Sequence, residues 1–205
     1  MNVENKKMYH IHTSNKYDDI WTIGNEITID DNFLSYFYEG ALNFTGRVPV
    51  IDGGEESFSS VIKGYLKHNL DNETYIKLLK EASNMLSKFQ MSRRELVLEN
   101  YRKNFFPDLP SRKHSIWLCD EKSLEFWKSK LELNDTKKLF EVSATGNLFE
   151  SSDNLLPDDN SSINEGFSQC ERYWNPEKDK IDETCREYLF QGKIKVLRKI
   201  DVNKN

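Results

Sequence analysis

The chain is poor in cysteine, has no long apolar run and lacks the common nucleotide-binding and hydrolase signatures. Cys119, Cys170 and Cys185 are the only cysteines in 205 residues, with no CxxC pair and no regular spacing. An odd, scattered set argues against a disulfide framework and against a zinc site. The opening MNVENKKMYHIH has no apolar segment of the signal-peptide kind, and no run approaches transmembrane length. A cytoplasmic protein with no membrane partner is therefore expected. No P-loop, GxGxxG, GxSxG or HExxH motif occurs, which removes several large enzyme classes from the front rank. A positive excess is also missing. The formal net charge is −5 at a charged fraction of 31%, unlike a chain built to bind nucleic acid over its whole surface.

The hydrophobic share is low at 37%, but aromatics supply 12% of the residues. Four Trp, nine Tyr and twelve Phe bring much apolar area from few positions. At this length a single domain over residues 1–205 is expected, with a helical insertion at about 55–106.

Hydrophobic periodicity places the elements. Lys7–Thr13 reads as a strand with Tyr9 and Ile11 on one face and His10 and His12 on the other. Gly24-Asn25 marks a turn between Ile20, Trp21 and Ile23 and a short strand holding Ile27 and Ile29. Between 55 and 106 the pattern becomes helical. Phe58, Val61, Ile62 and Tyr65 share one face; Tyr75, Leu79, Ala82, Leu86 and Phe89 mark a second helix capped by Asp71 or Asn72. Ser92 and Glu95 have capping-box spacing and open a third helix that stops before Pro107.

The organising unit follows. Ser115–Cys119 suits a buried strand, and Asp120–Leu131 a helix with Asp120 as N-cap. Leu139–Ala144 alternates, with Phe140, Val142 and Ala144 on one face and Leu139, Glu141 and Ser143 on the other; Gly146 is expected to end it. Glu150 to Asn154 has the composition of an exposed, hydrogen-bonding turn. A polar loop to residue 168 leads to a short helix over Gln169–Trp174. Glu187–Ile200 closes the chain as one strand, or as two broken at Gly192.

His10 and His12, two apart on a strand, project from one face. A metal needs three or four convergent ligands, and none follows at characteristic spacing, so no metal is expected. A cleft histidine making hydrogen bonds is the stronger reading. Trp117 is core by default, or a stacking surface for a planar ring. Glu150, Asp153 and Glu187 flank strand ends and become catalytic only if they converge on one cleft. Cys119 has no partner arrangement marking a nucleophile. Arg93, Arg94, Arg102, Lys103, Arg112 and Lys113 are either a local basic patch or solvated helix-face charges.

Four segments together resemble rifamycin ADP-ribosyltransferases. Tyr9-His10-Ile11-His12-Thr13 followed by Ile23-Gly24-Asn25-Glu26-Ile27 is similar to their opening His-Gly-Thr strand and Gly-Asp turn. Ser115-Ile116-Trp117-Leu118 with the helix containing Leu124, Phe126 and Trp127 resembles their Tyr-bearing strand and the helix after it. Leu139 to Gly146, then Glu150 to Asn154, is similar to their strand ending in an acidic segment. Arg186-Glu187-Tyr188-Leu189 through Gly192-Lys193-Ile194 resembles their closing strand. The pieces cover about half the chain in the same order, and the 55–106 stretch has no counterpart. The layout also resembles a poorly characterised bacterial family with Pro-Ser-Arg before the second strand and Tyr-Trp before the last.

That resemblance implies an α+β fold in which two packed, mainly antiparallel sheets form an NAD cleft. It implies a mono-ADP-ribosyltransferase using NAD as substrate, without a metal, on an unidentified acceptor: a protein, a nucleic acid or a small molecule. Either His10 or His12 occupies the family's histidine position, with His10 favoured by the Tyr-His pairing. His10 would bind a ribose hydroxyl, with Thr13 and His12 beside it. Trp117 stands where the family has Tyr and would stack on nicotinamide. Arg112 would pair with the pyrophosphate. Asp153, or failing it Glu150 or Glu187, would face the anomeric carbon, since the family's second Asp falls near Ser152. The alternative is a catalytically degenerate NAD-binding or interaction module of the same fold.

Overall fold

Alternating apolar residues in the first and last thirds of the chain build one antiparallel sheet. The computed structural model describes residues 1–15, 18–49, 54–67, 71–134, 136–177 and 180–201. Strand β1 spans Asn2–Thr13, and β2 spans Glu26–Ile29. Helix α1 covers Tyr36–Asn43. A short ribbon of β3 (Arg47–Pro49) and β4 (Glu55–Ser57) comes next, then α2 (Phe58–Tyr65) and α3 (Asn72–Phe105). Strand β5 (Ile116–Leu118), helix α4 (Leu124–Lys130), β6 (Lys137–Ser152), α5 (Ile163–Trp174) and β7 (Arg186–Ile200) complete the order.

The protein is α+β with antiparallel sheets. β6 and β7 pair along nearly their whole lengths and form the spine. β1 lies on the free edge of β6, while β5 and β2 share the free edge of β7. β5 also touches β1 through reciprocal Tyr9–Cys119 backbone hydrogen bonds of 2.9 Å. The path β1–β6–β7–β5 therefore returns to β1. Its inner face carries Met8, Ile116, Leu118, Phe140, Val142, Ala144, Leu148, Phe190 and Ile194, all buried, with Trp21 at one end. On the outer face, Phe149 and Leu189 meet Leu98 of α3 and Cys170, Tyr173 and Trp174 of α5.

Several expectations change. The pairing is not two packed sheets around a cleft: the second sheet is the β3–β4 ribbon, and none of its residues lines the cleft described below. The second and third expected helices are one 34-residue helix, about 50 Å long at 1.5 Å per residue. Ser92 is not a cap; its hydroxyl bonds back to the Lys88 carbonyl at 2.8 Å, as serines inside helices do. The true N-cap is Asp71, which accepts the Thr74 N–H at 2.8 Å. The second half of α3 is core rather than an appendage, because Glu95, Leu98, Glu99 and Arg102 are all buried. Asp120 accepts the Ser123 N–H at 3.0 Å, but regular helix begins only at Leu124.

β6 does not stop at Gly146, and β7 does not break at Gly192; the two glycines face each other across the ladder. Glu150–Ser152 is strand, with Ser151 and Ser152 buried, and a 3-10 turn over Asp153–Leu155 follows. α5 starts at Ile163, earlier than expected, because Ser162 and Glu165 form a reciprocal capping box.

Candidate functional site: a cleft where two strands part

β1 and β5 meet at the Tyr9–Cys119 bridge and then separate. A cavity of about 490 Å3 opens there, lined on one side by His10–Thr13 and on the other by Ile116–Cys119. That volume suits a small-molecule site. Trp21, Phe37 and Trp127 give it aromatic walls, and Arg94, Arg112, Lys130, Asp153, Asp159 and Glu187 supply its charges.

His10 spans the gap. Its Nδ1 lies 2.9 Å from the Trp117 carbonyl oxygen, so Nδ1 carries the proton and donates, leaving the Nε2 lone pair as an acceptor. The ring stacks on Trp21 with centroids 4.3 Å apart. Burial pushes its pKa down from 6.5 to about 4, against the opposing pull of the Trp117 carbonyl. The imidazole is therefore neutral at physiological pH. In an NMR titration the His10 ring should show its midpoint near pH 4 and keep the Nδ1–H tautomer above pH 6. A midpoint above pH 6 would contradict this geometry.

His12, on the same face, is held differently. Its Nε2–H donates to Asp18 Oδ1 at 2.8 Å, and Asp18 also binds Lys138 Nζ at 2.6 Å. Lys138 holds the Asp18 carboxyl well below the usual range, with help from the Asn15 N–H and His12; burial lowers the His12 pKa. Thr13 is exposed at the rim.

Trp117 contributes two different surfaces. Its carbonyl fixes His10, while its ring, opposite Leu189 on the outer side of the sheet, meets Phe37 edge-on at 5.4 Å and the Arg112 guanidinium at 5.2 Å. The two rings singled out from the sequence thus stand on opposite sides of the β5 edge, and the ring stacked on His10 is that of Trp21.

Arg112 lies beneath the cleft, 2% exposed. Its Nε binds Glu95 Oε2 at 2.6 Å, Nη2 binds Glu95 Oε1 at 3.0 Å, and Nη1 reaches Glu187 Oε1 at 3.1 Å. Nη1 also donates to the Tyr173 hydroxyl, which donates to Glu187. Burial opposes the guanidinium charge, but Glu95, Tyr173 and Glu187 outweigh it and raise the pKa well above the ordinary value. This charge is spent on two carboxylates inside the protein. Glu187, 3% exposed, is likewise tied to Arg112 and Tyr173 while it borders the cleft.

Asp153 stands on the cleft wall in an ion pair with Lys130 of α4. Glu150 is not among the cleft-lining residues. It pairs with Arg186 at 3.1 Å, and Arg186 also binds Asp120 and Glu183. The structure thus gathers His10, His12, Thr13, Trp117, Asp153, Glu187 and Arg112 at one cleft and leaves Glu150 outside it.

The arginines between 93 and 113 do not form a surface patch, whereas Lys103 is an exposed charge on the α3 face. Arg93 donates to the Asp159 and Ser161 carbonyls, Arg94 pairs with Asp159, and Arg102 pairs with buried Glu99 at 2.8 Å. Burial pushes the Cys119 thiol up to about 12, so it is no thiolate nucleophile. Among the described residues no group of three His, Cys, Asp or Glu side chains is arranged to hold a metal. Nor is any helix among them long and apolar enough to cross a membrane.

Sequence reasoning did not single out Trp21, Asp18, Glu95, Tyr173 or Lys130 as site residues. Trp21 had a signal, an aromatic just before the Gly24 turn. The others act through contacts made at long sequence separation. No curated protein matches the chain. A family model described as a protein of unknown function, DUF2441, matches residues 8–202, and the chain belongs to that family.

Proposed function

We propose that the cleft binds NAD and that the protein is a mono-ADP-ribosyltransferase. The observation that carries this reading is the His10–Trp117 contact. A neutral histidine, locked at Nδ1 and open at Nε2, lines an aromatic cleft that three carboxylates border. An open imidazole acceptor suits a sugar hydroxyl, which donates to it. Trp117 and Phe37 offer ring faces and edges for a planar base. Asp153 and Glu187 line the same cleft, and negative charge facing the sugar there would stabilise an oxocarbenium ion.

In that reaction the bond between ribose C1′ and the nicotinamide nitrogen breaks, and nicotinamide leaves with the bonding electrons as a neutral base. The acceptor's nucleophilic atom bonds to C1′ and gives up its proton. His10 orients the ribose, and the departing ring reaches over the β5 edge to Trp117, whose ring stands on the far side of it. The charge inventory bears on the pyrophosphate. Arg112 is engaged by Glu95 and Glu187 and Arg94 by Asp159, so the most exposed cation lining the cleft among the described residues is Lys130, paired with Asp153 at the rim. NAD would draw Lys130 to its phosphates and free Asp153 to face the sugar.

A second reading keeps the fold and the ligand without turnover. It is favoured by the pairing of all three cleft carboxylates, Asp153, Asp159 and Glu187, with cations. Thermal shift with NAD and release of labelled nicotinamide separate the two. A ligand that binds only the native state must raise the melting temperature. Transferase activity requires release in addition, with the label transferred to protein, RNA, DNA or a small molecule in extract. His10→Ala and Asp153→Ala are each expected to lower release about 10²–10³-fold. A shift without release selects the degenerate module, and neither shift nor release removes NAD from the cleft.

A further inference from the structure

The stripe Tyr75, Leu79, Ala82, Leu86 and Phe89 has the spacing of an amphipathic helix whose apolar side should be buried. In the structure it is not. Tyr75, Ile76, Leu79, Leu86 and Phe89 are each between 49% and 59% exposed, while the core contacts of α3 come from its second half, beyond Met91. Among the described residues, Phe89 meets Phe44 edge-on at 4.8 Å, Lys88 lies over the Phe44 ring and Gln90 donates to Asn160 at 2.8 Å.

We infer that this stripe is a homodimer interface in which the first halves of two α3 helices pair antiparallel about Ala82. Three features point to a second copy rather than an unrelated partner. First, the 4-3-4-3 spacing is that of a coiled-coil seam, sustained for two heptads. The flanking positions Ile76, Leu78, Ser83 and Met85 carry no charge, and Lys77, Lys80, Glu81 and Lys88 lie off the seam.

Second, the stripe is nearly symmetric about its smallest member. An antiparallel two-fold through Ala82 sets Tyr75 of one copy against Phe89 of the other and brings Leu79 within one residue of level with Leu86. An interface between identical chains must be self-complementary in this way, whereas a foreign partner imposes no such symmetry. Ala82 at the centre allows the helices to approach closely.

Third, the area suffices. Five large side chains about half exposed present on the order of 500 Å2 per copy, so pairing them buries about 1,000 Å2, the threshold for a specific interface. The same burial would explain a long helix running beyond the body that supports its other half, since amphipathic helices gain most of their stability from packing.

The test uses the full chain. Sedimentation velocity and light scattering from about 1 to 100 µM should give twice the 24.2 kDa chain mass at the upper concentrations. Leu79→Glu/Leu86→Glu should be monomeric throughout with unchanged circular dichroism, and Lys77→Glu should remain dimeric. Cysteine pairs check the geometry independently of those variants, because the three native cysteines are buried. Mixing Tyr75→Cys and Phe89→Cys proteins under mild oxidation should give the mixed disulfide in excess over either homodimer. A wild-type monomer at 100 µM, a dimer indifferent to Leu79→Glu/Leu86→Glu, or disulfides only between like positions would overturn the proposal.

Discussion

Arg112→Met is expected to destabilise the protein by about 3–5 kcal/mol at pH 7, the loss typical when one member of a buried ion pair is removed. For a chain of this size that corresponds to a fall of roughly 6–20 °C in melting temperature. The cost does not arise mainly from lost attraction. Arg112 faces Glu95, which is fully buried, and Glu187, which is 3% exposed; its removal leaves Glu95 with the longer 3.4 Å contact to Arg94 and Glu187 with the Tyr173 hydroxyl, at sites with nearly no water. Tyr173 cannot replace it, because a phenol offers one proton and no charge. Adding Glu95→Leu and Glu187→Gln should recover a large part of the loss, since a buried pair replaced by well-packed neutral groups is often no less stable. Chemical denaturation of the three proteins at pH 7 decides it. A loss below 1 kcal/mol at pH 7 would mean that water reaches the cluster.

The sheet was legible because its signal is local. Phe140, Val142 and Ala144 alternate with Leu139, Glu141 and Ser143, and that alternation is how the strand divides between the inner and outer faces. His10 and His12 were placed on one face by the same period, and their rings stand 5.9 Å apart. What the sequence concealed was the destination of its charges. Glu95 fits the third position of a capping box opened by Ser92, yet its carboxylate binds Arg112, seventeen residues on in the chain. Local spacing cannot rank a cap, which satisfies one N–H, against a buried guanidinium. The real box at Ser162 and Glu165 lay in a stretch whose polar composition also reads as loop. The α3 stripe misled in a different way. Its period identified the helix correctly, but period alone does not say whether the apolar face meets the same chain or another.

The candidate site shows the same division. His10 and Trp117 are joined because β1 and β5 run side by side for a single bridge, a register that neither strand encodes alone. Their rings then fall on different sides, since His10 lies one residue beyond outward-facing Tyr9 and Trp117 lies between inward-facing Ile116 and Leu118. Glu150 and Glu187 were similar candidates from sequence. Strand alternation separates them, because Glu187 shares the outer face with Leu189 while Glu150 follows Leu148 at the end of the inner face, beside Arg186.

Gly146→Ala and Gly192→Ala are each expected to cost about 2–4 kcal/mol, and together much less than the sum. Both residues have positive φ, +154° and +142°, which L side chains rarely adopt. Space forbids a side chain as firmly as the backbone angle does. A Cβ on Gly146 would stand 2.7 Å from the Gly192 Cα and closer still to the Gln191 carbonyl. A Cβ on Gly192 would stand 2.5 Å from the Thr145 carbonyl and 2.7 Å from the Gly146 Cα. Neither contact is with a flexible side chain that can turn away, so β6 and β7 must separate at their centre. Once one alanine has opened the ladder, the second meets less resistance, which is the origin of the expected non-additivity. The disturbance should also reach the cleft. β5 and β2 share one edge of β7 on either side of Gly192, so a shift there moves β5 relative to β1, and with it the Trp117 carbonyl relative to His10. Each variant should therefore lose stability in denaturant titrations and also show the His10 midpoint moving up from about 4 towards 6.5 as its burial loosens, because burial outweighs the opposing Trp117 hydrogen bond. A variant that loses stability while the His10 midpoint stays near 4 would show that the glycine pair sets only the spine, and that the cleft is held by the Tyr9–Cys119 bridge alone.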